Sequence, residues 1–356
     1  MMPSLFDPLI LGALRLKNRI VMAPLTRCRA DTDGLVPNAL MAEYYGQRAS
    51  AGLIITEGVP VTPMGVGYPD TPGIWSDEQI VGWRRVTDAV HAAGGCIVLQ
   101  LWHVGRVSDP VHLGGALPVG PSAIAPLGHV SRLYPARPYV TPRALATEEI
   151  ADVIAAYRRG AENARKAGFD GVEVHGANGY LIDQFLQDGS NHRTDAYGGS
   201  IENRARLMLE VTDACIAVWG AGRVGMHLAP RCDSNTMGDS DPAATFGYAA
   251  GELGRRKIAF LFTRERVDPP RLAPRLKAIF GGKVIANENF TQVGAEKVLA
   301  AGEADAVAFG KLFIANPDLP RRFAEGRPLN EPDPTTFFTP GPHGYTDYPT
   351  LEAVSA

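Results

Sequence analysis

The chain has 356 residues, is 45% hydrophobic and 21% charged, and carries a formal net charge of −3. That balance supports a large buried core and excludes the dense basic surface that nucleic acid or an anionic membrane would demand of a partner. The length exceeds an ordinary domain but suits a (β/α)8 barrel with insertions, roughly 200 to over 400 residues.

The opening segment MMPSLFDPLILGALRLKNR has no basic stretch ahead of its apolar residues. No run of ~18 apolar residues occurs anywhere, so neither a signal peptide nor a membrane span is expected. Cys28, Cys96, Cys215 and Cys232 are scattered and form no C-x-x-C pair. This argues against zinc and iron–sulfur centres and fits free thiols in a reducing cytoplasm.

In chain order, residues 5–18 hold two short apolar stretches around Gly12-Ala13 and read as a hairpin on a barrel floor. Short apolar runs then recur at Arg19–Ala23, Gly52–Thr56, Cys96–Leu101, Gly171–His175, Arg223–Ala229, Lys257–Phe262, Lys283–Ala286 and Asp305–Phe309. Continuous rather than alternating apolarity marks parallel strands buried on both faces. Amphipathic helices lie between them. Ser76 to Gln79 spells a capping box, and Thr147 and Ser200 are candidate caps for two later helices. Eight strand–helix alternations predict one closed (β/α)8 barrel spanning 1–356. Residues 103–146, proline-rich and aperiodic, read as a capping insertion over the catalytic face, where so long a loop is usually functional. The proline-rich C-terminal extension, 328–356, is expected to wrap back onto the barrel.

Barrel chemistry sits at the C-terminal ends of the strands. The fourth strand ends in a polar cluster, HGANGY, which places His175, Asn178 and Tyr180 at one tip. Gly220 to Gly225 spells G-x-G-x-x-G but follows a helix and leads into a strand, the reverse of a dinucleotide-binding turn. His175 and His227 have no acidic or histidine partner at the matching strand ends, so no metal site is expected.

HGANGYLIDQFL followed by NHRTDAYGGSIENR resembles the Old Yellow Enzyme family, the FMN-dependent ene-reductases, including the bacterial N-ethylmaleimide and xenobiotic reductases. The similarity extends from Phe6 to about Leu351. It implies noncovalent FMN, NAD(P)H as reductant, and reduction of alkenes activated by carbonyl, imide or nitro groups, with nitrate esters and nitroaromatics as further substrates. By resemblance, His175 and Asn178 grip the activating group, flavin N5 delivers hydride and Tyr180 supplies the proton. Tyr68, Trp102, Thr26 and Phe338 then line the substrate pocket. Ala23, Pro24, Leu25, Thr26, Gly58, Gln100, His175 and His227 hold the flavin ring, with Gly58 allowing close backbone approach. Asn289, Phe290, Gly310 and Lys311 hold the phosphate on loops after strands seven and eight.

Three positions depart from the family pattern. His227 stands where an arginine is usual, Lys311 follows Gly310 in place of arginine, and Phe338 replaces a pocket tyrosine. A histidine facing the flavin is expected to make its potential depend on pH between about 5 and 8. Two other readings remain: a dienoyl-CoA-reductase-like relative, although such proteins add clustered cysteines and further nucleotide domains, and a flavin-binding barrel without turnover. The chain is expected to be a monomer or homodimer.

Overall fold

The computed structural model describes residues 3–266 and 268–354. A hairpin, β1 (Leu9–Leu11) and β2 (Leu14–Leu16), comes first. The barrel strands are β3 (Ile20–Met22), β4 (Leu53–Pro60), β5 (Ile97–Trp102), β8 (Gly171–His175), β9 (Val224–Leu228), β10 (Phe260–Arg264), β11 (Val284–Asn287) and β12 (Ala306–Phe309). They pair in parallel in that order and close on β3. Two short strands, β6 (Val119–Gly120) and β7 (Arg143–Ala144), pair within the segment expected to be irregular.

The principal helices are α1 (Ala39–Gln47), α2 (Asp77–Ala92), α3 (Glu149–Lys166), α4 (Leu181–Leu186), α5 (Ile201–Trp219), α6 (Pro242–Arg255), α7 (Ala273–Phe280) and α8 (Gln292–Ala300). Three short ones, α9 (Lys311–Ala315), α10 (Leu319–Ala324) and α11 (Leu351–Val354), end the chain. The Ser76–Gln79 capping box forms as expected, and Ser200 caps α5. Thr147 does not cap α3; its hydroxyl bonds the Asp195 carboxylate instead.

Period-two geometry divides the core into two layers. One apolar cluster lies between sheet and helices. The other fills the barrel, where Val21, Leu53, Ile55, Val98, Phe260, Phe262 and Ile285 meet Leu9, Leu11, Leu14 and Leu16 of the hairpin. The hairpin therefore plugs the floor and leaves the opposite mouth for chemistry.

Two strand ends differ from the sequence reading. β4 continues past Thr56 through a bulge between Ile55 and Gly58, so Glu57 and Gly58 lie within the strand. β10 begins and ends later than the apolar run Lys257–Phe262, and its last residue is Arg264.

The C-terminal extension does return to the barrel. Arg27 donates to the carbonyls of Phe337 (3.0 Å) and Gly344 (2.8 Å), and Arg48 donates to that of Tyr345 (3.2 Å). Tyr345 is fully buried and stacks on Tyr44 with centroids 3.9 Å apart. The guanidinium carbons of Arg27 and Arg29 lie 5.0 and 4.4 Å from its ring centre. Replacing Tyr345 by alanine should cost about 3–5 kcal/mol, as for other buried aromatics, and free the extension for proteolysis. Denaturant unfolding with limited proteolysis measures both. A loss below ~1 kcal/mol would show that the arginines alone hold the segment.

Candidate active site

A cavity of about 550 Å³ opens at the C-terminal mouth of the barrel. That size falls within the ~300–1,000 Å³ of small-molecule sites. Its wall includes Ala23, Pro24 and Leu25 after β3, His227 on β9, Arg264 on β10, and the loops after β11 and β12 with Asn289, Phe290, Gly310 and Lys311. Asn178 reaches it from the tip of β8. Thr26 continues the first loop and is half-buried.

The β8 tip is shaped by its backbone. Gly176 N–H donates to the His227 carbonyl (3.0 Å), which carries the sheet one residue past His175. The chain then turns through Asn178 (φ 58°) and Gly179 (φ 78°). A Cβ on Gly179 would stand 2.7 Å from Met237 Cγ and 2.8 Å from the Ser234 carbonyl oxygen, so only glycine fits this left-handed position. The Asp183 carboxylate accepts from Gly179 N–H at 2.9 Å, and Tyr180 begins α4. One strand end thus fixes three of the candidate side chains.

Those side chains join an aromatic cluster. The Trp102 ring stacks near Tyr68 (5.5 Å) and meets Tyr180 edge-on (4.8 Å). Tyr180 also meets His175 edge-on at 5.1 Å. The Tyr68 and Tyr180 hydroxyls are 2.8 Å apart. Burial, reinforced by the neighbouring Tyr68, holds the Tyr180 phenol well above the usual tyrosine range, so it keeps its proton at neutral pH. Tyr139, from the capping insertion, packs on the same cluster. At the rim, the Arg132 guanidinium carbon lies 3.8 Å from the ring centre of Phe338, so the insertion and the C-terminal extension meet there.

Beneath the cavity lies a buried polar chain. Gln100 Nε2 donates to Glu173 Oε2 at 2.7 Å and lies 3.2 Å from His227 Nδ1. An amide nitrogen only donates, so Nδ1 accepts and the His227 proton resides on Nε2. That Nε2 is buried and has no partner among the described residues, and the same holds for His175 Nδ1. The two imidazoles stack face to face at 5.0 Å. Burial pushes His175 down to about 3 and, with His175 and Arg264 nearby, holds His227 well below the ordinary histidine range. His227 is thus a neutral donor rather than the titrating cation that its sequence position suggested.

Burial likewise raises Glu173 to about 8. Sequence reasoning passed over this residue because a lone acid within an apolar run carries no pattern. Arg264 and Glu288 were missed as well. The guanidinium pairs with the Glu288 carboxylate and donates to Asn178 Oδ1 at 3.0 Å. Inward alternation of Phe260, Phe262 and Arg264 was the available signal.

Gly58 also serves a neighbouring side chain. It does not line the cavity, and a Cβ there would stand 2.7 Å from the Trp102 indole. Its bare backbone makes room for tryptophan. Among the described residues no helix is long and apolar enough to cross a membrane, and no group of three or more His, Cys, Asp or Glu could hold a metal ion.

Residues 4–330 match the NADH:flavin oxidoreductase / NADH oxidase family. A probable flavin mononucleotide-dependent alkene reductase of Leishmania infantum is 46% identical, with 98% of this chain and 97% of the relative covered. 12-oxophytodienoate reductase 1 of Oryza sativa subsp. japonica is 44% identical, covering 98% and 94%. Among solved structures, the old yellow enzyme homologue from Zymomonas mobilis superposes with a TM-score of 0.95 at 47% identity, covering 98% of this chain and all of that one. Morphinone reductase in complex with tetrahydroNAD gives 0.94 at 50% identity, with 98% of each chain covered. With its barrel mouth and strand-tip cluster in view, these matches across nearly the whole length establish that the chain belongs to the NADH:flavin oxidoreductase / NADH oxidase family, as an FMN-dependent flavoenzyme of Old Yellow Enzyme type.

Proposed function

We propose that the chain, acting as one unit over 1–356 in the cytoplasm, reduces C=C bonds conjugated to carbonyl, imide or nitro groups at the expense of NAD(P)H. Nitrate esters and nitroaromatics extend the substrate range. The observation that carries this reading is the convergence of His175, Asn178 and Tyr180 beside the cavity, from one strand tip.

The residues present suit FMN. His227 lines the cavity and its buried Nε2–H is orphaned, which leaves that hydrogen for an acceptor on the ring system. With both Gln100 amide hydrogens directed at protein acceptors, its Oε1 remains to accept a ring N–H. Ala23, Pro24, Leu25 and Thr26 offer the adjoining loop. Asn289, Phe290, Gly310 and Lys311 form the phosphate end, where Lys311 contributes a point charge without a guanidinium's two-pronged grip. Bound FMN supplies two-electron hydride chemistry between the nicotinamide and the alkene.

The protein orients and polarises. Neutral His175 and the Asn178 amide donate to the activating oxygen, where negative charge develops; one such donor is commonly worth 10²–10³-fold in rate, an order-of-magnitude figure. Tyr180 O–H protonates the carbon next to the activating group, and its elevated pKa keeps that proton available. Trp102 and Tyr68 pack the alkene against the site, while Tyr139 and the Arg132–Phe338 rim restrict water.

Tyr180→Phe should slow alkene reduction by about 10²–10⁴-fold, the usual worth of a general acid, and leave reduction of the flavin by NADPH nearly unchanged. Stopped-flow measurement of the two half-reactions decides; equal losses in both would remove Tyr180 from proton transfer.

The electrostatics of His227 give a second test. Because its folded-state pKa lies well below the usual ~6.5, the ring is neutral near pH ~7. Spectroelectrochemical titration should therefore give the same dependence of flavin potential on pH in wild type and His227→Gln. A break near pH ~6.5 in wild type alone would contradict this.

A further inference from the structure

Arg264 ends β10 inside the flavin cavity, yet nothing in the reaction described above uses it. The strand's alternation places Phe260 and Phe262 in the barrel interior and Arg264 one layer higher, at the mouth. The side chain is half-buried, with 35% of it exposed, so its donors are partly held by protein groups and partly open to solvent. Its Nε pairs with Glu288, and its Nη1 donates to Asn178 Oδ1 at 3.0 Å. The first bond anchors the side chain; the second acts on a residue of the substrate site.

An asparagine amide has two orientations that differ by a half-turn and exchange its donor and acceptor ends. A hydrogen bond from a charged donor to Oδ1 selects one of them and leaves Nδ2 as the free, donating end. The backbone is held independently: the Asn178 carbonyl accepts from Asn235 Nδ2 at 2.8 Å, in a left-handed turn with φ 58°. With the main chain already fixed, the side-chain orientation is the remaining freedom, and Arg264 is the group that removes it.

We propose that Arg264, braced by Glu288, is a positioning residue that holds the Asn178 amide with its Nδ2 toward the activating oxygen of the substrate. This rests on the assignment of Asn178 as an oxygen-binding donor.

The test is a double-mutant cycle on the FMN-loaded protein, with 4-hydroxybenzaldehyde as probe. Its phenolic oxygen stands in for the substrate oxygen, and stacking on the flavin changes the visible absorbance. Asn178→Ala and Arg264→Met should each weaken binding by about tenfold or more, the size of one charge-assisted or buried hydrogen bond. In the Asn178→Ala background, Arg264→Met should add less than about twofold, because the two changes remove one shared interaction. Glu288→Gln, which keeps the guanidinium but loosens its brace, should weaken binding several-fold with wild-type Asn178 and leave the Asn178→Ala protein unaffected. FMN content and melting temperature check that each variant is folded, and Glu288→Gln carries the test if Arg264→Met fails that check. Equal weakening by Arg264→Met or Glu288→Gln in both backgrounds, or no weakening in either, would overturn the proposal. Full affinity in Asn178→Ala alone would instead overturn the donor assignment on which it rests.

Discussion

The site depends on a chain of buried hydrogen bonds laid across the top of an apolar barrel interior. Glu173, Gln100 and His227 form it, with Gln100 as the shared donor. Leaving a buried polar group unpaired costs about 1–3 kcal/mol, so folding satisfies nearly all of them. Here the chain ends on an unsatisfied, buried imidazole N–H of a residue that lines the cavity. An orphaned donor in a low-dielectric wall is destabilising without a ligand and favourable with one. The same linkage fixes the His227 tautomer, and hence which groups a bound ring meets.

Around this layer, backbone conformation sets the rest. The turn at Asn178 and Gly179, closed by Asp183, carries His175, Asn178 and Tyr180 on one rigid segment. Their spacing therefore follows the strand register rather than loop sampling, which is what catalytic preorganisation requires. The hairpin seals the opposite end of the barrel, and the capping insertion and C-terminal extension meet at the rim. Floor, site and cover are built from separate stretches of the chain, and Tyr139 of the insertion packs on the aromatic cluster of the site.

Much of the architecture was legible because parallel strands buried on both faces leave continuous apolar runs. The run at Gly171–His175 coincides with β8, and the leucine pairs around Gly12 form the hairpin. The reading faltered where polarity interrupts a strand. Glu57 and Gly58 looked like a loop because a bulge carries them through β4, and Arg264 was lost because a charge ended an apolar run that the strand continues beyond. The lack of a side chain at Gly58 also serves Trp102, a contact invisible in one dimension. The state of His227 was equally hidden. The residue type predicts a switch, and only its burial and the Gln100 contact show a neutral donor.

With a neutral imidazole at His227, Arg264 and Lys311 are the positive charges on the cavity wall, and Arg264 sits on the strand beside His227 with Glu288 as counter-ion. The central claim remains that this mouth moves hydride and proton to an activated alkene. The most direct measurement is a single turnover under argon, mixing NADPH-reduced, FMN-loaded protein with 2-cyclohexenone after removal of the nucleotide. The account predicts that the yellow flavin returns with formation of one equivalent of cyclohexanone. Protein that stays bleached, or regains colour without saturated ketone, would contradict it.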